Sequence, residues 1–271
     1  IMNTEERRFV RSVRAYYRHH GRHTLPWRLT RNPYRILVSE IMLQQTQVDR
    51  VLPKYTSFLK RFPTIRTLAC ASLGDVLREW QGLGYNRRAR MLHQCARIVV
   101  HEYKGRMPRT YTELHALPGI GAYTASAVLT FAYQMPEIFV ETNIRSVFIH
   151  HFFSDDTDVS DADIHLLVER TLDRCNARAW YYALMDYGVH IKKTYGNPNS
   201  RSKHYTQQST FKGSDRQIRG ALIRTLGKSS MTGKKIHKVL SFQIDRIDAQ
   251  LEKLLAEGLI AKRGLRYTLP E

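Results

Sequence analysis

The segment Leu117-Pro118-Gly119-Ile120-Gly121-Ala122-Tyr123 carries the most specific chemistry in this sequence. The pattern predicts a short helix over 111–116, a turn at Pro118-Gly119-Ile120-Gly121, and a second helix from about 124. Two glycines permit positive φ or close backbone approach in the turn. Amides opening the second helix can then hold one phosphate with no side chain between. Carbonyls of the same turn can hold a monovalent cation, K+ or Na+. A plain connector is the alternative, because such turns join many helix pairs. Two carboxylates stand out beside it: Glu40, leading the apolar run Ile41-Met42-Leu43, and Glu141, within Val140-Glu141-Thr142-Asn143. A carboxyl group is a general acid or base when its surroundings tune it, although most glutamates simply face solvent.

The elements that must position these residues are helical. Apolar spacing predicts helices over 4–20, from Asn32-Pro33 to about Gln45, and over 48–61, 72–80, 87–103 and 124–133. Beyond them come 143–152, 161–174 and 176–191, then 215–227, 232–240 and 245–257. Pro63, Gly82, Gly84, Gly105, Pro108 and Pro136 punctuate the series. No strand is expected before the tail, where Leu259–Leu269 alternates around Arg263-Gly264 as a small hairpin. Residues 194–214 are polar and turn-rich, and read as a linker or an irregular docked segment. The expected fold is an all-α body followed by a small α/β winged-helix module over 211–271.

Composition narrows the partner. The chain has 271 residues and a formal charge of +19, which suits a polyanion but equally an RNA-binding, ribosomal or membrane-surface protein. The charge is not confined to a tail: residues 201–271 hold 15 Lys and Arg against 6 Asp and Glu. Cys70, Cys95 and Cys175 lie far apart without a C-x-x-C. That argues against a cysteine-ligated cluster within one chain and against a disulfide framework. The charged beginning has no signal-peptide core and no segment is apolar enough to span a membrane, so an intracellular location is expected, cytoplasmic or nucleoid in a prokaryote.

Several motifs in order resemble one family. Leu25-Pro26-Trp27, Asn32-Pro33-Tyr34, Ser39–Val48 with its Leu-Gln-Gln-Thr-Gln stretch, Gly82-Leu83-Gly84-Tyr85, the hairpin and Asn143–Val147 resemble the helix-hairpin-helix (HhH-GPD) DNA glycosylases over about residues 25–191. The adenine-excising, MutY-like branch is the nearest likeness. The resemblance implies a core of two helical lobes, one from 1–24 with 136–210 and one of six-helix type over 25–135. It implies a monomer acting on double-stranded DNA with a mismatched or damaged base.

The resemblance also assigns roles. Glu40 would protonate the departing adenine and then help activate water, which needs a carboxyl group with a raised pKa. The family's Asp, which stabilises charge at the sugar, is matched here by Glu141, longer by one methylene. That change admits a rebuilt site, a changed substrate, or a protein that recognises lesions and cuts slowly. Asn143 would bond Glu141 or a water, or cap a helix. Tyr123 stands where bifunctional relatives carry a lysine, so Schiff-base chemistry is not expected; packing is its other role.

Gln44, Gln45 and Tyr85 would fill or flank the gap left by an extruded base, with Arg87 and Arg88 on phosphates. Pro118, Gly119, Ile120 and Gly121 would grip the backbone. In the module, Lys234, Lys235, Lys238, Arg263 and Arg266 are the phosphate candidates, unless the module docks protein. Many relatives hold a [4Fe–4S] cluster after Asp-x-Gly; here Lys192-Lys193-Thr194 follows Asp186-Tyr187-Gly188, so no cluster is expected. The expected reaction is release of adenine opposite guanine or 8-oxoguanine, with thymine or uracil excision from mismatches as the enzymatic rival.

Overall fold

A computed structural model describes residues 2–207 and 210–271; residues 208 and 209, part of the expected 194–214 linker, lie outside them. The helices are α1 (Thr4–His20), α2 (Pro33–Leu43), α3 (Val48–Arg61), α4 (Ile65–Cys70), α5 (Leu73–Trp80), α6 (Arg87–Glu102), α7 (Tyr111–His115) and α8 (Ala122–Tyr133). Then follow α9 (Thr142–Phe152), α10 (Asp161–Thr171), α11 (Ala177–Tyr195) and α12 (Asp215–Lys228). The chain closes with β1 (Met231–Thr232), α13 (Gly233–Val239), α14 (Ile244–Ala256), β2 (Ala261–Arg263) and β3 (Arg266–Thr268). The fold is an all-α core with a small α/β module, as expected.

By contacts the described residues fall into two units. Those of Ile1–Ile36, Arg109–His115 and Ile120–Gln207 form one. Those of Leu37–Pro108, Ala116–Gly119 and Gln208–Glu271 form the other. The C-terminal module thus shares a unit with helices α3 to α6.

In the first unit α1 starts at an Asn3–Glu6 capping box, which satisfies amides that a helix start leaves open. Its Phe9 and Val13 are buried, and Phe9 meets Phe148 and Trp180. Arg22 and Arg28, after α1, converge on Asp186 of α11. Gly188 lets α11 approach α9: a Cβ there would lie 2.3 Å from the Asn143 carbonyl oxygen.

In the second unit Phe58 and Trp80 pack edge to face, with Leu68, Leu77 and Leu92 buried around them. The module has its own apolar centre in Ile218, Leu222, Ile247, Leu251 and Leu254. Its sheet runs β1-β3-β2, antiparallel, with Met231 opposite Tyr267 and Lys262 opposite Tyr267. The Gly74 amide bonds the Pro270 carbonyl at 2.8 Å, and Arg78 Nε bonds the Gly227 carbonyl at 3.1 Å. Helix α4 was not foreseen. It begins at a Thr64–Thr67 capping box directly after Pro63.

Candidate active site

The hairpin takes the expected form. Leu114, Leu117 and Ile120 are buried and fix the turn from within. Gly119 has φ +79°, and a Cβ there would stand 2.7 Å from the Met91 Cβ, so conformation and space both require glycine. Gly121 is the N-cap of α8, and nothing lies within 4 Å of a Cβ built on it. Helix α8 is buried from Thr124 to Ala132, which leaves its first turn as the exposed part.

Glu40 sits one turn before the end of α2 and is only 6% exposed. The helix ends in the Gln44-Gln45 turn, where Gln45 adopts φ +52°. A second turn, Gly82 to Tyr85, places Tyr85 at φ +46°. Both non-glycine residues thus lie in the left-handed region. Arg88 of α6 links the two turns. Its Nη1 donates to the carbonyls of Ile41 (2.8 Å), Met42 (3.1 Å) and Gln44, while Nη2 reaches Thr46 Oγ1 and the Leu83 carbonyl, each at 3.1 Å. Burial lowers the Arg88 pKa to about 10, with Tyr85 opposing that shift. This corrects the expectation for Arg88: its two Nη groups serve the two turns rather than a phosphate. Arg87 is exposed.

Glu141 is the N-cap of α9. Its Oε1 accepts from the Asn143 amide (2.8 Å) and the Ile144 amide (2.9 Å), and its Oε2 from Asn143 Nδ2 (3.1 Å). The extra methylene is thereby folded back, and the carboxylate faces the positive end of the helix. The capping role falls to Glu141, and Asn143 braces it. Polar residues after α11 support this helix: the Asn199 amide nitrogen bonds the Thr142 carbonyl (3.1 Å) and Ser146 Oγ (2.7 Å). Lys192 is half-buried, its pKa lowered by burial against the pull of the Glu141 charge. Tyr123, on α8, packs edge to face on Phe139.

Comparison with known proteins decides what such an arrangement belongs to. A model described as HhH-GPD superfamily base excision DNA repair protein matches residues 38–170. The adenine DNA glycosylase of Mycolicibacterium smegmatis is 36% identical over 262 residues, covering 89% of this chain and 89% of that relative. The chain belongs to the HhH-GPD superfamily, in its MutY-like branch. The adenine DNA glycosylase of Buchnera aphidicola subsp. Baizongia pistaciae is 38% identical over 187 residues; the match takes in 68% of this chain and about half, 52%, of that relative. Among solved structures, a thermostable thymine-DNA glycosylase superposes with a TM-score of 0.62 at 27% identity, over 69% of this chain and 87% of the other. An endonuclease III trapped covalently on DNA gives 0.59 at 19% identity, over 70% and 88%, which speaks for the fold alone.

As an HhH-GPD protein the chain is a base-excision-repair DNA N-glycosylase. The iron–sulfur cluster of many MutY-like proteins does not fit its residues. Helix α11 continues through Lys192 and Lys193 to Tyr195, and no cysteine follows Cys175. Cluster iron needs thiolates, and the segment is ordered instead by Asn199, by Arg201 on the Phe153 carbonyl (2.7 Å), and by a bridge between Val159 and Ser202. Of the module's candidates, Lys234, Lys235 and Lys238 are exposed on or beside one turn of α13. Arg263 is already paired with Glu271 (2.8 Å), and Arg266 Nη2 donates to the Ser230 carbonyl (2.8 Å). None of the described helices is long and apolar enough to cross a membrane.

Proposed function

We propose that this glycosylase releases adenine mispaired with guanine or 8-oxoguanine, without strand cleavage. The observation that carries the reading is Glu40: a carboxyl group 6% exposed, on a helix whose end is fixed by Arg88 beside the Gln44-Gln45 turn. The likeness to the Mycolicibacterium adenine DNA glycosylase supports the choice of base. In this mechanism Glu40 gives its proton to adenine N7. The C1′–N9 bond then breaks with its electron pair leaving on adenine, and cationic charge develops at the sugar. Glu141 stabilises that charge, held in place by Asn143 and the start of α9. Glu40, now a carboxylate, takes a proton from the water that adds to C1′.

Tyr123 supplies no amine, so no Schiff base forms at its position. Gln44, Gln45 and Tyr85 stabilise the opened stack, and Pro118 to Gly121 with the start of α8 hold one phosphate. Carbonyls of this turn would hold a K+ or Na+, which bound there would add positive charge toward the phosphate. The working form is a cluster-free intracellular monomer on duplex DNA, with Arg87, Lys234, Lys235 and Lys238 as further phosphate contacts. Thymine or uracil opposite guanine is the rival substrate, favoured by the likeness to a thymine-DNA glycosylase structure. The test is base release from duplexes carrying A, T or U opposite G or 8-oxoG, read as alkali-labile sites. Adenine release that vanishes in Glu40→Gln supports the reading. Release of thymine alone, or binding with no release, overturns it.

A further inference from the structure

The first turn of α12 is bonded to α14. Asp215 accepts from Arg246 Nη2 (2.7 Å) and from Gln250 Nε2 (2.9 Å), both on α14. The Gly213 amide bonds Gln217 Oε1 at 2.7 Å, and Arg219 pairs with Glu257. This fixes Arg216, whose Nη1 donates to the Tyr85 hydroxyl at 2.8 Å. The Arg216 guanidinium also lies 5.8 Å from the centre of the Tyr85 ring, and that of Arg88 lies 5.4 Å from it.

Tyr85 is constrained from below as well. Trp80 Nε1 bonds the Gly84 carbonyl at 3.1 Å, and the Arg88 amide bonds the Tyr85 carbonyl at 2.8 Å. Its backbone sits at φ +46°, bonded on both sides of the turn. The module therefore does more than offer lysines to the phosphate backbone: one of its side chains is bonded to the tip of the turn that carries the aromatic ring.

We propose that Arg216 is a positioning residue for Tyr85, by which the C-terminal module controls how the ring enters the stack beside the base opposite the adenine. The inference rests on the proposed wedge role of Tyr85. Arg216 orients the phenol through its hydroxyl and keeps positive charge at the ring, which strengthens stacking on a base whose edge carries acceptors.

The test uses the full chain with Arg216→Ala, Tyr85→Phe, the double variant and Tyr85→Ala. Duplexes carry A opposite 8-oxoG or G, with 2-aminopurine next to the opposite base to report stacking. Single-turnover base release and thermal unfolding are measured in parallel. The expected result is that Arg216→Ala and Tyr85→Phe each lower the 2-aminopurine change and slow release about 5- to 20-fold, the double variant no further, at unchanged Tm. Fully additive losses overturn the proposal, because the two groups would then act independently. So does a loss confined to binding, equal on every duplex and with a salt slope reduced by about 1, the mark of a phosphate contact. If Tyr85→Ala impairs stacking and Arg216→Ala does not, Arg216 is excluded and the wedge stands. If Tyr85→Ala changes nothing, the wedge reading itself fails.

Discussion

Arg88 donates to the carbonyl oxygen of Ile41 over 2.8 Å, across 47 residues of sequence. Ile41 directly follows Glu40, and the last carbonyls of a helix have no partner inside it. A guanidinium there satisfies several of them and places positive charge at the negative end of α2. The same side chain holds the turns bearing Gln45 and Tyr85, so one arginine ties the end of the helix that carries Glu40 to both turns.

Arg88→Lys is expected to behave almost like Arg88→Ala. An ammonium is a compact donor and cannot span two loops as a planar guanidinium does. Several buried carbonyls lose their partner, for a loss of about 2–4 kcal/mol in urea unfolding. Base release should fall further than stability predicts, because Glu40 is displaced in the fraction that stays folded. Activity matching that of the intact protein in Arg88→Lys would show that Arg88 has no positioning role.

Glu141 separates charge from capping. Glu141→Gln keeps an oxygen for the Asn143 and Ile144 amides, so unfolding should shift by less than about 1 kcal/mol. It removes the carboxylate, and base release should fall by at least about 100-fold. Glu141→Asp keeps both the charge and the cap, and release within about tenfold of the unaltered chain is expected. A rate unchanged in Glu141→Gln would remove Glu141 from the mechanism.

The legible features were those written in local patterns. Apolar spacing placed α1 and α3 to the residue, and the glycine-rich turn announced the hairpin because its conformation demands particular residues. Helix α4 was hidden because six residues are too few for a period and Pro63 reads as a stop. Arg88 read as a phosphate ligand because charged residues are seldom buried; its carbonyl partners are remote in sequence and leave no local trace. The Tyr85–Arg216 bond spans 131 residues and was invisible for the same reason. Glu141 was recognised as the odd acid, but its fold-back onto α9 depends on a helix start that the acid itself defines.

Asp186 tests how the first unit is held together. Arg28 donates to both its oxygens, at 2.7 and 2.8 Å, and the side chains of the pair are 4% and 2% exposed. Burial pushes the Asp186 carboxyl up, but the Arg28 bonds and charge, with the Arg22 amide, outweigh it and hold the group below its ordinary value. Asp186→Asn leaves Arg28 buried without its counter-charge and is expected to cost about 3–5 kcal/mol in urea unfolding. A loss below about 1 kcal/mol would mean the pair is dispensable.

His151 gives the protein a distinct acid-side weakness. It lies edge-on to Phe9, stacks near Tyr187 and has Nε2 3.2 Å from the Tyr187 hydroxyl. Burial, followed by the charge of His150, lowers its pKa to about 4. The unfolded chain, with a value near 6.5, binds the proton more readily. Stability from this site is therefore complete above about pH 6.5 and is lost as pH falls toward 4, by about 2–3 kcal/mol after allowing for partial exposure. Asp186 works lower, because its depressed pKa withdraws stability only as pH falls through the carboxylate range. The two are separable by window: His151→Gln, which keeps a hydrogen-bonding group but does not titrate there, should flatten the loss between pH 6.5 and 4 and leave the steeper acid limb. Urea unfolding at half-unit pH steps reads both, and an unaltered slope in His151→Gln would assign the mid-acid loss to another group.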